Sequence, residues 1–338
     1  MSEVRVSLAD CHALATKALQ GQGFSVAQAD AIADTITAAE RDGCTSHGLF
    51  RVPFYVNALG NPGTDARAEP TLDWPAPGLV RVDAANGFCP LALKLGLPAL
   101  RDTAREQGIA ALAINNTYNI AALWPEVESL ADDGLVAMAF TAANAFVAPA
   151  GGTKPLYGTN PMAFAWPRAN QPPLVFDQAS SVSARGEIQL HLRDGKPIPE
   201  GWAIDANGKP TTDPEAALAG AQLPFGGHKG ASIALMVELL AGAMIGDLFS
   251  FESTERDTHK TGAPFGGEFL LAIDPSRFGT GSLAARQAHA ETLFARILEQ
   301  PGTRLPGDRR RRARIETQAE GITVPEALHG QLLAYAAT

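Results

Sequence analysis

The runs L-V-R-V at Leu79–Val82 and I-A-A-L-A-I at Ile109–Ile114, with L-A-L-K-L-G-L-P-A-L-R-D-T-A-R-E-Q at Leu91–Gln107 between them, decide the fold class. Short apolar runs bounded by turn residues read as strands. The intervening segment is too long for a strand and carries apolar residues at helical spacing. The same alternation continues through strand-like runs at Leu135–Thr141, Met162–Trp166 and Leu174–Phe176, with a helix predicted over Ala121–Asp133. The expectation is an α/β chain built on a mixed sheet with helices against it.

Toward the N-terminus, Ser7-Leu-Ala-Asp10 and Ser25-Val-Ala-Gln28 each stand where a helix N-cap belongs, followed by apolar residues at helical spacing. The second helix runs into Glu40-Arg41-Asp42-Gly43 and delivers Cys44-Thr45-Ser46-His47-Gly48. A Pro-rich connection, Asn61 to Pro77, separates this helical part from the sheet. Toward the C-terminus, Gly186–Asp213 is turn-rich and reads as a hairpin-bearing excursion. A helix follows at Lys229–Ile245, its apolar stretch Ala231–Ile245 expected to be buried, then a strand at Phe269–Ile273 and a helix at Leu283–Gln300. A basic link, Arg304–Arg314, leads to a last helix starting near Pro325. No internal repeat is visible.

The bulk numbers exclude several classes. With 338 residues, 46% hydrophobic and 19% charged, the chain has ample core for two lobes. A net charge of −9 argues against nucleic acid or an anionic membrane as the main partner. Three cysteines without C-x-x-C spacing give neither a disulfide framework nor a zinc site, which fits a reducing cytoplasm. The N-terminus lacks the pattern of a signal peptide, and Ala231–Ile245 contains Glu238 and is too short to span a bilayer. The seven histidines show no H-E-x-x-H, so no metal is expected.

Several segments could carry chemistry, each with a plain structural reading beside it. His47 ends a helix next to Ser46 and four residues before Arg51; it is either an acid/base group or a locally satisfied histidine near a helix C-cap. Cys44 as a thiol nucleophile lacks a second base, and packing is its expected role. Pro224-Phe-Gly-Gly-His-Lys-Gly230 is a phosphate cradle at a helix start or a glycine turn. Thr159-Asn160 is a ligand contact or a turn before Pro161. The arginines at 309–312 are a solvated link or an anion clamp. Neither G-x-G-x-x-G after a first strand nor a P-loop is present.

Taken in order, these segments resemble the type 2 malate/L-lactate/L-sulfolactate dehydrogenases. The likeness rests on R-D-G-x-x-S-H-G-x-x-R at Arg41–Arg51, G-T-N-P at Gly158–Pro161, V-F-D at Val175–Asp177 and P-x-G-W-x-x-D at Pro199–Asp205. It continues through P-F-G-G-H-K-G at Pro224–Gly230 and R-L-P-G-D-R-R at Arg304–Arg310. Within that family the chain looks most like the Δ1-piperideine-2-carboxylate/Δ1-pyrroline-2-carboxylate reductases. The resemblance implies a non-Rossmann nicotinamide-binding domain (78–300) with a largely antiparallel sheet. It implies a helical domain formed by 1–77 together with 301–338, and a homodimer.

It also implies roles. His47 is the proton donor, Ser46 its hydrogen-bond partner and Glu187 the carboxylate that polarises the pair and holds the histidine pKa up. Arg51, Thr159, Arg185 and Gly186 face the substrate. The cofactor touches Asn119, Ile120, Ala121, Ala122 and Leu123, then Asp177, Gln178 and Ala179, then His228 and Lys229. Its last contacts are Arg304, Leu305, Pro306, Gly307, Asp308, Arg309 and Arg310. Two departures stand out: Tyr118-Asn119-Ile120 and Arg185-Gly186-Glu187 lack histidines that related reductases carry. The implied reaction is NADPH-dependent reduction of a cyclic 2-imino acid to L-proline or L-pipecolate, with NADH the other cofactor to test. The rival is a 2-keto acid/2-hydroxy acid dehydrogenase using the same His and Arg. A non-catalytic nucleotide-binding protein is a third, weaker reading.

Overall fold

The computed structural model describes residues 2–338. β1 (Glu3–Val6) leads into α1 (Leu8–Gly21), α2 (Val26–Arg41) and, after two short 3-10 turns, α3 (Val52–Ala58). The serine caps form as their spacing requires: Ser7 Oγ accepts from Asp10 N–H at 3.0 Å and Ser25 Oγ from Gln28 N–H at 3.2 Å. Cys11, Leu14, Ala15 and Ala18 of α1 and Ile32, Ala33 and Ile36 of α2 share one buried cluster with Tyr55 and Leu332.

The central part contains β2 (Thr71–Ala76), β3 (Leu79–Asp83), α4 (Cys89–Gln107), β4 (Ile109–Tyr118), α5 (Trp124–Asp132) and β5 (Val136–Thr141). It continues through β6 (Met162–Trp166) and β7 (Leu174–Gln178). An excursion follows, made of α6 (Arg185–Arg193), β8 (Ala203–Ile204), β9 (Pro210–Thr211), α7 (Pro214–Ala219) and β10 (Ala221–Gln222). The chain ends with α8 (His228–Glu238), α9 (Ser250–Arg256), β11 (Phe265–Ile273), α10 (Leu283–Leu298), α11 (Asp308–Glu320), β12 (Ile322–Pro325) and α12 (Glu326–Ala336).

Seven strands form one sheet in the order β2-β3-β4-β11-β5-β6-β7. Only β3 and β4, joined through α4, run parallel; every other neighbouring pair is antiparallel. Apolar residues of α4 and α5 cover one face through Leu93, Leu100, Val127 and Leu130 against Leu112, Ile114 and Leu270. On the other face Val237 and Ala241 meet Phe140 and Phe269. β1 and β12 pair separately, tying the two ends of the chain together. Among the described residues no helix is long and apolar enough to cross a membrane.

Five expectations change. The Pro-rich connection ends in a strand, β2, on the sheet edge. The helix predicted from Ala121 starts at Trp124, because residues 119–123 form a turn held from outside. The turn-rich excursion opens with α6, whose Ile188 is buried, and only β8–β9 make the expected hairpin. The basic link is a helix, α11, entered through the left-handed Gly307 (φ 89°); its run of like charges masks the periodicity. The segment 231–245 is buried on one face only. Leu235, Leu239 and Met244 are 46–54% exposed, since only the Val237–Ala241 side reaches the sheet, and the helix loosens into a π-helical stretch at Leu239–Met244.

Candidate active site

The Ser46-His47 pair is placed by the way α2 ends. Gly43, at φ 69°, stops the helix, and two single 3-10 turns, Thr45–His47 and Leu49–Arg51, hinge at Gly48. Buried Glu40 accepts from Leu49 N–H at 2.8 Å, and any Cβ at Gly48 would overlap that carboxylate. Burial lifts the Glu40 pKa to about 7, partly countered by the Leu49 bond. Ser46 Oγ stands 3.1 Å from His47 Nδ1, and Arg51 Nε donates to Ser46 O at 2.6 Å. The Arg51 guanidinium lies over Phe54, 4.8 Å from its ring centre. Burial pushes the His47 pKa down to about 4, and the Arg51 charge adds to the effect.

The pairing expected of Glu187 with Ser46 and His47 is not formed in this chain. Glu187 lies exposed in the first turn of α6, with no hydrogen bond or ion pair to Ser46 or His47, and the histidine pKa is lowered rather than held up. Arg185 is likewise turned elsewhere. Its guanidinium stacks on Phe146 at 3.9 Å and donates to Leu218 O at 3.2 Å. It has no carboxylate partner among the described residues, and burial lowers its pKa. Gly186 has open space where a Cβ would stand. Half-buried Thr159 accepts through its carbonyl from Ser180 N–H (2.8 Å) and Oγ (2.9 Å). Beside it, Asn160 (φ 35°) donates to Ala234 O and Glu238 Oε1 and accepts from Ala143 N–H and Ser250 Oγ. Asn160 is therefore a structural hub that fixes Thr159.

The expected cofactor segments do meet. Asp177 accepts from Leu123 N–H (2.9 Å) and Trp124 N–H (3.2 Å), capping α5 and shaping the Asn119–Leu123 turn. Burial raises the Asp177 pKa to about 6 against those bonds and Arg310. Gln178 is exposed and Ala179 half-buried beside it. Arg310 donates to Val175 O at 3.0 Å and lies 5.2 Å from the Trp124 ring centre. Asp308 accepts from Leu305 N–H at 2.9 Å, closing the turn through Pro306 and Gly307. Ser180 O accepts from Phe225 N–H at 3.0 Å, which brings Gly226-Gly227-His228-Lys229 to the same sheet end. His228 and Lys229 are exposed at the start of α8, and no side chain caps that N-terminus.

Asp42 ties the two halves of the site together, a role its sequence position does not announce. Fully buried, it accepts from Arg41 Nε (2.8 Å), Arg314 Nε and Nη2 (2.9 and 2.6 Å) and Trp124 Nε1 (3.0 Å). Burial alone would raise its pKa, but Arg314 and Arg41 reverse this and hold it below the usual value. Cys44 is half-buried with its pKa raised chiefly by burial, which fits packing.

A Ser-His pair beside an arginine suits a small anionic substrate, and the glycine loop at the uncapped start of α8 suits a phosphate-bearing group. The profile of the malate/L-lactate dehydrogenase family matches residues 6–333, and the chain belongs to that family. It is 54% identical over 331 residues to the Δ1-pyrroline-2-carboxylate/Δ1-piperideine-2-carboxylate reductase of Pseudomonas aeruginosa, covering 98% of this chain and 99% of that one. A crystal structure of Δ1-piperideine-2-carboxylate reductase from Pseudomonas syringae pv. tomato superposes with a TM-score of 0.93 at 40% identity, covering 98% and 99%. The (2R)-3-sulfolactate dehydrogenase (NADP(+)) of Chromohalobacter salexigens is 44% identical, covering 98% of each chain.

Proposed function

We propose that this chain is an oxidoreductase that reduces cyclic 2-imino acids, Δ1-pyrroline-2-carboxylate and Δ1-piperideine-2-carboxylate, to L-proline and L-pipecolate. The observation that carries the reading is full-length likeness to such reductases joined to the Ser46–His47–Arg51 cluster. When bound, a reduced nicotinamide would supply hydride to the C=N carbon. The residues present suit it: the uncapped N-terminus of α8 with Lys229 offers N–H groups and a cation to phosphate. Arg304 and Arg309, exposed and without ion pairs among the described residues, suit a 2′-phosphate, so NADPH is the proposed cofactor over NADH.

Arg51 holds the substrate carboxylate and so fixes which face of the ring is presented. His47 delivers a proton to the ring nitrogen, with Ser46 setting its tautomer through Nδ1. We further propose that 1–77 with 301–338 form the lobe carrying Ser46-His47 and that 78–300 form the cofactor lobe, in a cytoplasmic homodimer. The exposed Leu235 of α8, with Leu239 and Met244 in the π-helical stretch that continues it, supports the dimer.

The test is NADPH and NADH oxidation with Δ1-pyrroline-2-carboxylate, Δ1-piperideine-2-carboxylate, pyruvate and oxaloacetate. Turnover of the imines supports the reading. Turnover of keto acids alone moves the protein to the hydroxy-acid side, which the sulfolactate dehydrogenase relative favours.

A further inference from the structure

Beneath the Asn119–Leu123 turn lies a buried acid cluster that the reaction above does not use. Glu268, just past the β11 bulge at Gly266/Glu268, and Glu126, in the first turn of α5, are both buried, and each carboxyl bears on the other. Cys89 Sγ donates to Glu268 Oε2 at 3.1 Å, and Asn119 Nδ2 donates to the same oxygen. The groups that bear on the pair are Cys89 from α4, Tyr55 from α3, Asn119 from the turn and Asp177 from β7; none is a cation. Two facing buried carboxyls without a counter-cation do not both ionise, so a proton lies between them. Glu268 Oε1 has no N–H or hydroxyl partner among the described residues, which leaves the carboxyl it faces, Glu126, as its donor.

Asn119 links this pair to the turn. Because Nδ2 points at Glu268, Oδ1 points at Ala121 N–H, 3.2 Å away. Glu268 thus decides which way the amide faces, while Asp177 holds the other end of the turn. We infer that Glu126 and Glu268 are a proton-sharing pair of positioning residues that, through Asn119, shape the Asn119–Leu123 turn to receive the nicotinamide cofactor. The inference rests on the cofactor assignment proposed above. In the competent form Glu268 is ionised and accepts from Cys89, Asn119 and Glu126. Burial pushes both carboxyls above their usual range, Glu126 further, so Glu268 takes up its proton while the pH is still well above that range. The negative charge that strengthens the Asn119 hydrogen bond, and so orients its amide, is then lost.

The experiment measures cofactor dissociation constants by nucleotide fluorescence, without substrate, from pH 5.5 to 9. NADPH and NADH are compared because a phosphate monoester itself titrates near about pH 6. Glu268→Gln, which can no longer ionise, is expected to weaken binding of both cofactors about tenfold while kcat at saturating cofactor stays within about threefold, a loss of roughly one orienting hydrogen bond. Cys89→Ala, a mild core change, removes one donor to the anion and is expected to move the pH midpoint of cofactor affinity upward. Should Glu268→Gln fail to fold, the Cys89→Ala midpoint decides. Unchanged affinity in folded Glu268→Gln, or an unmoved midpoint in Cys89→Ala, overturns the inference while leaving the functional reading intact. A wild-type chain that binds neither cofactor overturns both.

Discussion

Asp42→Asn is the sharpest test of how the site is held together. The change keeps shape but removes the charge and replaces one acceptor oxygen with an NH2 group. That group then faces guanidinium or indole N–H donors, because the aspartate oxygens accept from Arg41, Arg314 and Trp124. Hydrogen bonds to charged groups contribute about 1.5–3 kcal/mol each, and breaking a buried pair by removing one partner costs about 3–5 kcal/mol. Arg314 keeps Glu128 at 2.7 Å, and the two arginine side chains remain 25–30% exposed, so water recovers part of the loss. A destabilisation of about 3 kcal/mol follows, or about 4–6 °C in Tm for a chain of this size. Glu128→Gln breaks only the outer arm and is expected to cost about 1 kcal/mol. Thermal and urea unfolding of the pair read the order directly. Activity should fall more in Asp42→Asn, because Asp42 sits at the end of the helix that delivers Ser46-His47. An Asp42→Asn protein within about 0.5 kcal/mol of wild type would refute the network as the tie between the two halves of the site.

Three further outcomes follow from the same geometry. Arg51→Lys keeps the charge but loses the planar fork over Phe54, so KM for the imino acid should rise about tenfold or more with a smaller change in kcat; an unchanged KM places the carboxylate elsewhere. His47→Gln should lower kcat by about 10²–10⁴ with cofactor affinity preserved, read by initial rates and by NADPH titration. Because the folded His47 pKa lies at about 4, below the unfolded value, its share of stability is present above about pH 6.5 and lost as pH falls toward 4. Subtracting the unfolding curve of His47→Gln from wild type across that window isolates the term, and a flat difference contradicts it.

The strands and helices from Leu79 to Phe176 were legible because each has its own period and turn punctuation, and the serine caps of α1 and α2 announced themselves by spacing alone. The position of β11 was not, since nothing local says that a strand from residue 265 will insert between β4 and β5. α11 was hidden because four consecutive arginines show no apolar stripe; only the structure reveals Arg310 and Arg314, one turn apart, turned toward Trp124, Val175 and Asp42. In the site, residues that act by local spacing, Ser46, His47 and Arg51, could be picked out early. Asp42, Glu126 and Glu268 could not, and Asn160 could be singled out but not its role as a hub, because their work depends on partners far along the chain. Glu187 shows the converse: it was assigned through likeness, and the single chain leaves it exposed on α6, away from the histidine.

The low pKa of His47 bears on when the donor is charged. Burial is the larger cause and Arg51 the second. A carboxylate laid on Arg51 cancels the second cause and brings a negative charge close to the imidazole, since Arg51 and His47 share Ser46 as a common neighbour. Both changes raise the histidine pKa, so the proton is taken up with the acid and not before it. A neutral, weakly basic His47 in the free enzyme also spares the site a second buried cation beside Arg51, whose own pKa burial already lowers. On the roles proposed for His47 and Arg51, the anionic substrate supplies the charge that arms its own proton donor, which ties selection for a 2-carboxylate to the chemical step through one arginine.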